Sequence, residues 1–175
     1  MPSGLPDGFS FMIKGLKKAI PESCWIAEDA DLFGDIRLGE DCSVYYHAVL
    51  RTEIDKIVIG DRTNIQDNCV LHDDIGAYVR IGSGVTVGHS CIIHGCTIGD
   101  NSLIGMGSVI MNRAVIGKDV ILGAGSLVTE GTVIPDGMLA FGSPARVIRP
   151  LTEEEIEGNR RSAERYVQHK EEHRK

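Results

Sequence analysis

The sequence predicts an all-β solenoid, a parallel β-helix of six-residue units followed by one C-terminal α-helix. Three observations carry this: an aliphatic residue at every sixth position from Ile20 to Ile134, a small or apolar residue four positions later, and frequent glycine directly behind the aliphatic one. An amphipathic helix repeats at about 3.6 residues and a strand at about 2, so neither generates a beat of six. A unit made of one short strand and one corner does. Three such units close a triangular coil, and coils stack at about 4.8 Å.

Taken in order, residues 1–19 show no period and read as a lead-in, and the solenoid is expected over 20–139. Its anchors are Ile20, Ile26, Leu32, Leu38, Val44, Leu50, Ile59, Ile65, Leu71, Ile81, Val87 and Ile93, then after one five-residue step Ile98, Ile104, Ile110, Ile116, Leu122, Val128 and Ile134. These 19 anchors make about six coils, roughly 29 Å tall at the strand spacing. Four after an anchor, a second inward position should be small: Ala30, Ala48, Thr63, Val85, Thr97, Ser102, Ser108, Ala114, Ser126 and Thr132 agree, and the bulkier Ile36, Ile54, Ile75 and Val120 are counted there too. The glycines behind anchors, such as Gly88 and Gly105, are expected at tight corners.

Two interruptions break the beat, three extra residues between Leu50 and Ile59 and four between Leu71 and Ile81. The anchors keep phase across both, so both must bulge outward as loops, the usual seat of binding chemistry on a rigid scaffold. Pro135-Asp136-Gly137 is a turn. In the exit segment, 140–175, Thr152 and Glu155 form a capping box for a helix running to about residue 170. Its apolar Ile156, Ala163, Tyr166 and Val167 fall on one face, to lie along the solenoid or over a neighbouring subunit.

Composition limits the function classes. A net charge of −7 argues against nucleic-acid or anionic-membrane binding. No apolar run reaches membrane length, and MPSGLPDGFSF lacks the basic-then-apolar form of a signal peptide. Five cysteines without paired spacing fit a reducing compartment, and the cytoplasm is expected. Cys24, Cys42, Cys69 and Cys91 sit at the small inward position as buried fillers, leaving Cys96, in the shortened unit beside His94, as the one thiol to watch.

The register acts on the histidines. Leu50, Leu71 and Ile93 lie three units apart, so Arg51, His72 and His94 stack in one column, the two imidazoles about 4.8 Å apart at the backbone. Such a pair can converge on one ion at distances near 2.1 Å. His89 falls one unit earlier, on the adjacent face, with Asp67 beneath it, and is poorly placed to meet its own chain's pair. A homotrimer brings His89 of one chain to the pair of the next, giving three sites per trimer. His47 is off the column, and His169 with His173 belongs to a solvated tail.

With RTE at 51–53, GDRTNIQDNCVLH at 60–72 and VGHSCIIHG at 87–95, the chain resembles the γ-class carbonic anhydrases, hexapeptide-repeat proteins, over nearly its whole length. The resemblance implies a left-handed β-helix and zinc held by His72, His89 and His94 at the trimer interface, two from one chain and one from the next. It implies reversible hydration of CO₂ to bicarbonate by a metal-bound hydroxide, with Gln66 beside it and Arg51 paired across the interface with Asp67. Glu53 stands where the best-known members have Asp, and Ile54 where they carry a glutamate implicated in proton transfer. The 73–80 loop offers only Asp73 and Asp74, so a slow enzyme is expected. Three imidazoles also suit iron or cobalt. Two other functions stay open: a hexapeptide acyltransferase with a histidine base, and a non-catalytic metal-binding scaffold.

Overall fold

A computed structural model describes residues 18–174. The lead-in expected over 1–19 lies outside the described residues except for the strand Lys18–Ala19. From there the chain winds as a β-solenoid of about six turns, with three parallel sheets forming the faces of a triangular prism. The third face is built from Asp31–Phe33, Val49–Arg51, Val70–His72, Ile92–His94, Val109–Ile110 and Leu127–Val128. The second runs from Trp25–Ile26 through Ser43–Val44, Asn64–Ile65 and Thr86–Val87 to Met138–Gly142, against which Ala145–Pro150 folds back antiparallel.

The anchors stack as the beat requires. Leu32, Leu50, Leu71, Ile93, Ile110 and Val128 are register partners up the third face, and Val44, Ile65, Val87, Ile104 and Leu122 up the second. All but Leu32 of these are essentially buried, each contributing about 1.5–3 kcal/mol by removal from water.

The insertions shift the second inward position. Ile54 and Ile75 are exposed at loop tips (50 % and 67 %), and Ile57 and Val79 fill the core in their place. Likewise Cys96, not Thr97, is the buried residue below Ile98. The inward place is therefore two before the next anchor, because the loops leave the coil before the strand re-forms. Small polar side chains at this position satisfy buried backbone oxygens. Cys24, Cys42, Thr63, Cys69, Cys91, Ser102 and Ser108 each donate to the carbonyl of a glycine behind an anchor. Cys96 is fully enclosed and burial pushes its thiol up to about 12, which removes it as a nucleophile.

The glycines behind anchors serve close approach rather than corner geometry. A Cβ on Gly105 would lie 2.4 Å from the Ala124 backbone nitrogen one coil on. The left-handed φ falls three after the anchor instead, at Asp41, His47, Arg62, Asn68 and Ser90 among others.

Helix α1 spans Glu153–His173, three residues longer than expected, and begins at the Thr152/Glu155 capping box. It lies along the second face of its own solenoid, burying Asn159, Ala163 and Lys170. His169 and His173 are exposed, as expected of the tail, but His173 also stacks on Trp25 at 4.8 Å and meets the Tyr46 hydroxyl at 3.2 Å. Among the described residues no helix covers the third face. Its outward column Val49–Val70–Ile92–Val109–Leu127 is apolar throughout, with Val70 and Ile92 about 40 % exposed. Among the described residues no helix is long and apolar enough to cross a membrane.

Candidate metal centre

Arg51, His72 and His94 are register partners on adjacent rungs of the third face. Each ends its strand, so the side chains project at the edge where the outward loops leave the coil. The two imidazole centroids are 5.0 Å apart, and His72 Nδ1 faces His94 Nε2 at 3.0 Å. The far nitrogens are taken. His72 Nε2–H donates to Glu53 Oε2 at 3.0 Å, and His94 Nδ1–H donates to Asn112 Oδ1 at 2.5 Å. Rings so held aim one nitrogen each at a shared point, an arrangement that a cation or a shared proton completes.

Glu53 is suited to its place. Burial tends to raise its carboxyl, but hydrogen bonds from His72 and Arg51 outweigh this and hold it below the usual range, so it stays an acceptor. Arg51 turns to Glu53 within the chain. Asp67 pairs with His89, whose Nδ1 lies 2.7 Å from Asp67 Oδ2, leaving Nε2 free. His89 stands on the corner between second and third faces and does not join His72 and His94 within one chain; among the described residues the one group of three metal-capable side chains is Glu53, His72 and Asp73. Gln66, buried at the foot of the same corner, donates through Nε2 to Asn64 Oδ1 at 3.1 Å. Asn64 donates to Thr86, whose hydroxyl reaches Ser162 of α1 at 3.3 Å. The helix is thus tied to the glutamine.

Three residues beyond the sequence-predicted set support the site. Asp73 is fully buried; its Oδ2 accepts from Thr52 Oγ1 and Asp55 N, both at 2.6 Å, clamping the loop that carries Glu53. Its Oδ1 has no hydrogen-bond partner among the described residues. Asn112 holds His94, and Asp74 accepts from Asn112 Nδ2 at 2.7 Å. The register gives no signal for Asn112: with Ile93 paired to Ile110, the count puts Met111 one rung beyond His94 and Asn112 beyond Gly95.

The donor set fits a zinc-type ion. Two ligands at about 2.1 Å with tetrahedral geometry stand about 3.4 Å apart. The observed 3.0 Å needs only a few tenths of an ångström of opening. Each of the three histidines offers one free nitrogen with an acceptor behind the other, the usual support of a metal-bound imidazole.

The family pattern described as bacterial transferase hexapeptide (six repeats) matches residues 95–130. The chain is 47% identical over 148 residues to a probable carbonic anhydrase of Methanocaldococcus jannaschii, spanning 85% of this chain and 93% of that one. It is also 47% identical over 152 residues to an uncharacterized transferase of Bacillus subtilis, spanning 87% and 89%. Among solved structures, a hexapeptide transferase family protein from Anaplasma phagocytophilum superposes with a TM-score of 0.85 at 44% identity, covering 88% and 91%.

Proposed function

The chain belongs to the γ-carbonic-anhydrase-like hexapeptide-repeat family, and on that premise we propose that it is a metal-dependent enzyme for the reversible hydration of CO₂ to bicarbonate, working as a homotrimer. One observation carries the reading: the free nitrogens of His72 and His94 face one another with their hydrogens turned away onto Glu53 and Asn112. The third ligand is His89 of a neighbouring subunit, oriented by Asp67. The uncovered apolar column beside the histidines is a surface suited to that neighbour.

A zinc ion, with iron or cobalt as substitutes, supplies a Lewis acid that brings the pKa of a water to about 7. The chain's own groups do the rest. Gln66, its Nε2 committed to Asn64, has its carbonyl oxygen left to accept a hydrogen bond from the reacting water and so orient it. Glu53 holds the His72 tautomer and Arg51. Arg51 and Asp67 meet across the subunit interface. Hydration releases one proton per bicarbonate. The loop tips that flank the site are Ile54 and Ile75, which carry none, so the proton leaves through buffer and turnover is slow. The five cysteines, all free thiols, suit a cytoplasmic enzyme.

Stopped-flow CO₂ hydration on zinc- and iron-loaded protein tests this: a rate above buffer that is lost in His72→Ala supports it, and none with either metal overturns it. The transferase name of the Bacillus subtilis relative favours a second reading, an acyltransferase with a histidine base acting on an acyl-CoA. Tight acetyl-CoA binding by metal-free protein would support that one. Metal bound without hydration would leave a scaffold.

A further inference from the structure

We propose that Asn112 and Asp74 are positioning residues that set the tautomer of His94, and that the four-residue insertion before Ile81 exists in part to deliver Asp74 to that position. The inference rests on the reading of His94 as a metal ligand. Its geometry is a relay of carboxylate, amide and imidazole. Within the insertion, the backbones of Asp74 and Ala77 exchange two hydrogen bonds of 2.9 Å, and Ile75 N donates to Asp74 Oδ1 at 2.7 Å. The loop's own backbone therefore uses one carboxylate oxygen and leaves the other. That second oxygen accepts from Asn112 Nδ2 at 2.7 Å, which turns Asn112 Oδ1 to His94 Nδ1 at 2.5 Å. A carboxylate can only accept, so Nδ2 must face it. An amide oxygen can only accept as well, so the His94 hydrogen must be on Nδ1, and the lone pair on Nε2 is directed at His72.

Space for the amide is kept by Gly95. Its φ is +50, and a Cβ there would come within 2.7 Å of Asn112 Oδ1. Without Asp74, the amide is free to turn over and offer Nδ2 to His94, which calls for the opposite tautomer and withdraws Nε2 from an ion. Asp74 therefore acts through Asn112 and touches no reacting atom.

The test uses ¹⁵N-histidine-labelled protein, metal-free and at alkaline pH, with long-range ¹H–¹⁵N NMR reporting which ring nitrogen of His94 carries hydrogen. Zinc affinity is measured alongside by competition with a chromophoric chelator. Wild type should hold the hydrogen on Nδ1. Asn112→Leu and Asp74→Ala should each move His94 toward the Nε2–H form and weaken zinc about 10–100-fold, and Asn112→Asp combined with Asp74→Asn, which keeps an acceptor for His94 and gives the new carboxylate a donor, should restore both. Far-UV circular dichroism checks that each variant folds, and Asp74→Ala, on the loop, serves if Asn112→Leu does not. Nε2–H in wild type, or unchanged tautomer and zinc affinity in both variants, overturns the proposal. Should wild type bind zinc no better than His94→Ala, the metal-centre reading falls, and the tautomer alone then decides the role of Asn112: Nδ1–H lost in the variants upholds it, Nδ1–H retained overturns it.

Discussion

His72 Nδ1 and His94 Nε2 face each other at 3.0 Å, and the far nitrogen of each ring is held against an oxygen, His72 Nε2 by Glu53 and His94 Nδ1 by Asn112. The backbone supplies the pairing and the loops supply the polarity. Strand register puts the two residues on adjacent rungs. The side chains of Glu53, from one insertion, and of Asn112, itself held by Asp74 from the other, decide what the rings offer.

Asp73 is the clamp between the two insertions. Asp73→Ala leaves Thr52 Oγ1 and the Asp55 amide without their acceptor, a loss of about 1–3 kcal/mol for buried groups. Urea unfolding should show a lowered midpoint with an unchanged slope.

Close coil stacking makes two glycines behave differently. Gly105→Ala places a Cβ 2.4 Å from backbone and should destabilise the solenoid by about 3 kcal/mol or prevent folding. Gly107→Ala, at φ +70 with open space around it, should cost only about 1–2 kcal/mol. Thermal melts of the pair check the contrast.

The helix cap carries a pH dependence. The Arg149 guanidinium, with the Thr152 amide, holds the Glu155 carboxyl down to about 2. A depressed carboxyl stabilises the fold at pH above its unfolded value and loses that contribution as pH falls from near 4.5 toward about 2. Glu155→Gln keeps the capping hydrogen bond and removes the charge. Its melting temperature should lie below wild type near neutrality and converge with it at the acid end of that window.

How much of this the sequence discloses depends on what sets each feature. The anchors are legible because one rigid coil geometry repeats and a single-residue slip would expose the core. The Arg51–His72–His94 column follows from the same count. Ile54 and Ile75 fall outside the core because counting forward from an anchor fails across an insertion, whereas counting back from the next anchor finds Ile57 and Val79. The glycines' reason is hidden too, since close approach between coils is a distance between residues about eighteen apart. Asp74 is legible only as a loop carboxylate and Asn112 not at all, because register places backbones and says nothing of which amide face turns inward.

Proton release offers a test by gain. Ile54 is half exposed at the tip of the first insertion, so Ile54→Glu puts a carboxylate there without disturbing the core. CO₂ hydration in dilute buffer should rise by about tenfold, below the usual ~10² for a well-placed proton-transfer group, and the gain should vanish in concentrated imidazole.

The most direct measurement of the central claim is native mass spectrometry of freshly purified protein with parallel elemental analysis. The account predicts a trimer carrying three ions, and a metal-free trimer for His89→Ala. A stable monomer, or a wild-type trimer with no bound ion, would contradict it.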